Sequence, residues 1–185
     1  MPAIHAPKIA VSGAAGGDAS KEGEAGAYAI GRQIALHHAI TLTGATSGVP
    51  YVAARGAKSA EGSVIGFSPA TSLLEHMHSY RLPVRHHDTI FFTGEGYAGR
   101  DILLVNMADI VIEISGRIGT LHEFTHAFER GKIIGVLKDS GGTIHHIPEI
   151  LNEAHRGNGK VIVEADPHVL VKRLMEKYRE TLVNL

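Results

Sequence analysis

The sequence predicts an α/β fold of the Rossmann type: a doubly wound, mostly parallel sheet of about seven strands with helices on both faces. Short apolar runs alternate with helical patterns along the chain. Most of these runs are apolar on both faces, as strands sandwiched between helical layers must be. Glycine clusters at 13 to 17, 44 to 48, 94 to 96 and 116 to 119 each follow such a run, so they fall at one edge of a parallel sheet, where ligands of this fold class sit.

In chain order, Lys8 to Ser12 is the first strand, and after its glycine cluster a helical pattern starts near Gly23 and runs through Ile30, Ile34 and Leu36. Ala39 to Thr43 is the second strand, followed by an Ala-rich helix from Val49 to Ala60. Ser63 to Phe67 is the third, closed by Ser68-Pro69. Thr71 to Tyr80 reads as a helix or a loop with helical turns, Pro83 breaks what precedes it, and Arg81 to Asp88 is irregular. Asp88 to Thr93 is the fourth strand and Ala98 to Ala108 a helix with Arg100 in its first turn. The fifth strand, Ile110 to Ile114, runs into the turn Ser115-Gly116-Arg117-Ile118-Gly119, and Thr120 opens a helix continuing to Arg130. Lys132 to Leu137 and Lys160 to Glu164 are the last two strands, separated by a helix from Ile147 to His155. Pro167 to Leu182 closes the chain as an amphipathic helix burying Val169, Leu170, Leu174, Met175 and Tyr178.

At 185 residues and 19.7 kDa the length suits one domain, and residues 1–185 read as a single Rossmann-like domain, which the resemblance given below makes a nucleotide-binding one. Eighteen basic residues against nineteen acidic ones give no overall field for nucleic acid or a membrane surface. The absence of cysteine excludes thiol nucleophiles and thiolate metal ligands. The amino terminus has no long apolar region and no run reaches membrane-spanning length, so a soluble cytoplasmic protein is expected.

The chemistry points to the turn after the fifth strand. Strand, Gly-rich turn and helix together aim backbone N–H groups and the positive end of a helix at an anion, usually a phosphate, which nominates the amides of Gly116, Arg117, Ile118, Gly119 and Thr120. Arg100 and Glu123 begin successive helices at the same edge. If the fourth and fifth strands are neighbours, the two side chains share a crevice, the guanidinium clamping phosphate and the carboxylate activating water. The structural alternatives are a Thr120–Glu123 capping box and an Arg100–Asp101 pair at a solvated helix start.

His122-Glu123-Phe124-Thr125-His126 matches the HExxH pattern of zinc peptidases, whose histidines share a helix face. It is set aside. The thirteen histidines make a chance match easy, and Glu129 and Lys132 stand where the longer metalloprotease pattern needs Gly and His. The pairs His37-His38, His86-His87 and His145-His146 are adjacent residues, which make poor chelates on a helix. No metal site is assigned.

Arg100 together with the run Ser115 to Glu123 resembles the LONELY GUY family, the cytokinin riboside 5′-monophosphate phosphoribohydrolases formerly labelled lysine decarboxylases. It resembles equally their relatives, the molybdenum cofactor carrier proteins. Of the family pattern P-G-G-x-G-T-x-x-E, Gly116, Gly119, Thr120 and Glu123 match, with Arg100 in the place of the upstream arginine. The Ser12-Gly13 turn, the turn from Thr43 to Gly48 and the segment Val64 to Pro69 extend the resemblance from about Lys8 to Leu151. Ser115 replaces the proline, and Arg117 replaces the second glycine, where it either contacts a phosphate or fills ligand space.

The resemblance implies hydrolysis of the N-glycosidic bond of a nucleoside 5′-monophosphate, with Glu123 and Arg100 catalytic. It adds Ser12, Gly13, Gly44 and Gly48 to the residues holding an AMP-like nucleotide or a phosphorylated pterin. It requires no metal or redox cofactor and implies a homodimer or higher homo-oligomer, with Tyr97, Phe124 and Phe128 as apolar residues near the shared site; the alternative is that they are core residues, Phe128 first among them. The other outcome it allows is a carrier that binds its ligand and turns nothing over.

Overall fold

The computed structural model describes residues 6–157 and 159–183. The amino-terminal segment on which the expectation of no leader rests falls partly outside the described residues.

Seven strands form one sheet: β1 (Lys8–Gly13), β2 (Ile40–Thr43), β3 (Val64–Ser68), β4 (Thr89–Phe92), β5 (Ile110–Ile114), β6 (Ile133–Leu137) and β7 (Val161–Glu164). Their spatial order is β4-β3-β2-β1-β5-β6-β7, and every pairing is parallel. The helices are α1 (Asp18–Leu36), α2 (Val49–Lys58), α3 (Leu73–His78), α4 (Gly96–Met107), α5 (Ile118–Glu129), α6 (Ile147–Glu153) and α7 (Pro167–Val183).

Successive side chains of a strand point to opposite faces, so each central strand feeds two apolar layers. Ile9, Val11, Ile110 and Ile112 pack beneath α1, α2 and α7 with Ile30, Ile34, Val52 and Leu174. Ala10 and Val111 pack on the other side with Leu104 of α4 and Phe124 and Ala127 of α5. An ion pair of 2.8 Å between Lys8 and Asp109 ties the entrances of β1 and β5.

The sheet order corrects the expectation that the fourth and fifth strands are neighbours. β4 lies at one edge, whereas β5 pairs with β1 at the centre. The chain winds outward from β1 to β4 and crosses back through α4, and α4 comes to lie beside α5. The arginine and the glutamate therefore meet across two adjacent helices rather than across two adjacent strands.

Other boundaries moved for local reasons. α1 begins at Asp18 rather than near Gly23, because its first turns are polar and carry no apolar periodicity to read. α5 begins at Ile118 with Arg117 at its N-cap, so Thr120 is inside the helix and caps nothing. α4 begins at Gly96, which puts Arg100 in its second turn. In α7 the buried residues are Leu170, Val171, Leu174 and Met175, while Val169 is 41% exposed. The ambiguous stretch after β3 contains the six-residue α3, capped by Ser72, whose hydroxyl accepts from the Glu75 amide at 3.3 Å. Phe124 is 2% exposed and Phe128 packs against the same apolar layer, so both belong to the core rather than to a free surface.

Candidate active site

The chain order reverses between β1 and β5, and at such a switch point the loops leaving the two strands part and open a crevice. The crevice is a cavity of about 180 Å³. Loops after β1 and β2 supply Gly13, Ala14, Ala15, Gly44 and Thr46; α4 supplies Tyr97, Arg100 and Asp101; the turn into α5 supplies Arg117, Gly119, Thr120 and Glu123.

Of the residues nominated from sequence, Gly13, Gly44, Arg100, Arg117, Gly119, Thr120 and Glu123 line this cavity. Ser12, Gly48, Gly116 and Ile118 do not. Ser12 lies one layer beneath, 2% exposed, with its hydroxyl donating to Oε2 of Glu123. Gly116 shapes the turn: its φ is 108°, and an added Cβ would run into the Thr120 side chain at 2.4 Å. Ile118 faces outward, 76% exposed.

The α5 N-terminus enters the pocket without a side-chain cap, which leaves first-turn amides available to an anion. Space is open above Gly119, where an added Cβ would meet nothing within 4 Å. Arg117 stands exposed at the rim, adding positive charge where the family pattern has glycine.

Arg100 is neither solvated nor free. It is 6% exposed, its Nη2 lies 3.1 Å from Oδ1 of Asp101, and Tyr97 lies beneath it at 6.0 Å from the ring centroid. The Asp101 carboxylate is also bonded to Nδ1 of His122 at 3.2 Å. His126 meets Oδ1 of Asn106 at 3.1 Å. Both histidines of the HExxH match thus turn toward α4, while Glu123 between them turns into the pocket. Among the described residues no group of three His, Asp or Glu is placed to hold a metal ion.

Glu123 is 7% exposed. Burial, and after it the negative charge of Asp101, push its carboxyl up to about 7, against the opposing pull of Arg100 and the Ser12 hydroxyl. A carboxyl poised there gains and loses a proton near neutrality, as a general acid-base group needs.

Sequence reading missed Asp101 as a pocket residue, and it missed Glu113. The latter left a signal: it is the one charged residue in the five-residue β5, whose every position is buried. Glu113 is 0% exposed, and its carboxyl is held well above the ordinary range by burial first and the Glu123 charge second, with Asp101 adding to both and the Ser12 hydroxyl acting against them.

A family model described as the SLOG cluster4 family matches residues 6–171. An uncharacterised protein of Archaeoglobus fulgidus is 30% identical over 131 residues, 71% of this chain and 80% of that one. Among solved structures, the molybdenum cofactor binding protein of Rippkaea orientalis superposes with a TM-score of 0.75 at 27% identity, covering 98% of this chain and 99% of the other. The Moco carrier protein of Chlamydomonas reinhardtii gives 0.75 at 28% identity, covering 94% and 99%.

Proposed function

Because the chain belongs to the SLOG cluster4 family, within the superfamily that unites LONELY GUY phosphoribohydrolases and molybdenum cofactor carriers, we propose that its pocket takes a nucleoside 5′-monophosphate and hydrolyses the N-glycosidic bond. The observation that carries this reading is Glu123: a nearly covered carboxyl, pushed up to about 7 by burial, on the wall of a pocket that ends in an uncapped helix start.

The phosphate lies against the first-turn amides of α5 and Arg117, and the ribose beside Arg100. Pockets that enclose a drug-sized ligand measure roughly 300–1,000 Å³. At about 180 Å³ this one houses the phosphoribosyl part and leaves the base at the mouth, next to Tyr97. As the C1′–N bond breaks, its electron pair leaves with the base and positive charge grows on C1′ and the ring oxygen, where the Glu123 carboxylate stabilises it. Glu123 orients a water whose oxygen bonds to C1′ and takes its proton, which then passes to the departing base. The products are free base and ribose 5-phosphate.

The test is incubation with AMP and chromatography for adenine. Wild-type release with none from Glu123→Ala supports the mechanism, and unchanged release from that variant removes it. The names of the two solved relatives favour a second reading, a carrier for a phosphorylated pterin or nucleotide, in which bound AMP is recovered intact after long incubation with wild-type protein.

In this reading the whole chain acts as one nucleotide-binding domain and pairs as a homodimer. Tyr97 is 50% exposed, Met107 51% and Ile118 76%, apolar groups on the two helices that flank the pocket. A monomeric sedimentation coefficient rejects the dimer.

A further inference from the structure

Glu113 has no part in the chemistry just described, yet it is placed beneath the residue that matters most. On β5 it is the register partner of Ser12 on β1, so both side chains leave the same face of adjacent strands, about 4.8 Å apart along the ladder. On that face they lie under α5 and α4, with Val136 of β6 as the other register partner of Glu113. Neither oxygen of Glu113 has a formed hydrogen bond among the described residues, yet the Ser12 hydroxyl lies close enough to act on its carboxyl.

Such isolation is costly for a carboxylate, which needs donors, and tolerable for a carboxylic acid, which brings its own proton and needs an acceptor. Ser12 offers one. Its single hydroxyl proton is committed to Oε2 of Glu123, and its lone pairs remain. The charged groups around the trio, among the described residues, are Asp101 and Arg100 of α4 and Arg117 at the rim, and the buried cation there, Arg100, is already paired with Asp101.

We propose that Glu113 is a neutral, buried positioning residue that donates to Ser12, fixing the Ser12 hydroxyl as a donor to Glu123. The chain runs one way, from Glu113 through Ser12 to Glu123, and presents the pocket carboxylate with a donor already aimed. Glu113 touches no substrate. It acts through Ser12, which joins a strand of each half of the sheet to the catalytic helix. The proposal rests on Glu123 being the working carboxylate.

The test is read first without ligand. Protein labelled with ¹³C at the glutamate side-chain carbonyl is titrated by NMR as wild type, Glu113→Gln, Glu113→Ala, Ser12→Ala and the Ser12→Ala/Glu113→Ala double variant, with thermal midpoints recorded to confirm folding. In wild type the Glu113 carbonyl shows a neutral acid at pH 7. In Ser12→Ala the Glu123 midpoint rises by about one pH unit, the effect of losing one well-placed hydrogen bond to a carboxylate. Glu113→Ala, which leaves that bond but frees the Ser12 hydroxyl to turn away, raises it by a smaller resolvable step, and the double variant shifts it no further than Ser12→Ala, since both changes cut the same chain. Glu113→Gln, whose amide also donates, holds the wild-type midpoint to within about 0.3 units.

An ionised Glu113 at pH 7, an unmoved Glu123 midpoint in Glu113→Ala, or additive shifts in the double variant would overturn the proposal. AMP cleavage is then measured against pH for the same proteins. The alkaline displacement of its rising limb in Glu113→Ala, absent in Glu113→Gln, supports the link to chemistry. Wild-type protein that shows the titration pattern and cleaves nothing rejects hydrolysis while leaving the Glu113–Ser12–Glu123 chain in place.

Discussion

Replacing Gly44 by alanine tests whether the turn after β2 is shaped around Arg100. A Cβ on Gly44 would stand 1.5 Å from Nη1 and 2.6 Å from Cζ of Arg100, against roughly 3.5–4.0 Å for ordinary nonbonded carbon contact. The backbone at Gly44 is not in the left-handed region, so alanine suits the local chain and the strain falls on the guanidinium. That group must retreat by about 2 Å to reach normal contact. Retreat breaks its 3.1 Å pair with Asp101 in a place where the two residues are 6% and 5% exposed. Overpacking of this kind costs about 1–3 kcal/mol. For a chain of this length that lowers the thermal midpoint by about 2–12 °C.

A double-mutant cycle isolates the cause. In an Arg100→Ala background the new methyl group has room, and Gly44→Ala should cost less than about 0.5 kcal/mol. The assay is denaturant unfolding of all four proteins, with AMP binding by calorimetry alongside. Equal costs of Gly44→Ala in both backgrounds would refute the idea that this glycine exists to admit the arginine.

A carboxyl whose folded pKa is raised contributes stability fully below its unfolded value, near 4.5, and loses it as pH climbs through about 7. Glu123→Gln should therefore raise the thermal midpoint at pH 8 more than at pH 5 while abolishing AMP cleavage; equal increments at both values contradict the burial argument. Cleavage by wild-type protein should rise with a limb centred near pH 7 as Glu123 ionises, and a limb near pH 4.5 would mean that an unperturbed carboxylate does the work. Arg117→Ala, at an exposed position, should leave stability within about 0.5 kcal/mol and weaken AMP binding by about 10-fold or more, with a shallower dependence on salt. Unaltered affinity and salt dependence would remove Arg117 from the phosphate site.

The parallel sheet was readable because β1, β5 and β6 are apolar on both faces and each is followed by a turn rich in glycine or serine. Arg100 and Glu123 line one pocket, though not by the route that chain order suggests. Sequence order suggested adjacent strands, and only the crossover of α4 from the sheet edge to its centre brings the two side chains together. The capping-box reading of Thr120 and Glu123 failed because the helix starts two residues earlier, at Ile118, a boundary that the apolar periodicity does not mark. Sequence alone leaves Phe124 and Phe128 open between the site and the core, and the 3.6-residue turn of α5 decides it by aiming them at the sheet. For Asp101 beside Arg100 the sequence offers a solvated helix start as one alternative, and its burial is a tertiary fact. Glu113 was the most legible omission, since a carboxylate inside an otherwise apolar strand buried on both faces is costly enough to ask for a reason.

The central place of β1 has a consequence for synthesis. The amide of Lys8 bonds to the Asp109 carboxylate 101 residues later. At translation speeds of about 5–20 residues per second, β1 emerges from the ribosome about 5–20 seconds before the strand that covers its second edge. For that interval Ile9 to Val11 present an unpaired apolar edge to the cell, a template for mispairing with other nascent chains. Yield in an expressing host should therefore respond to temperature and chaperone supply more steeply than the stability of the finished protein would suggest.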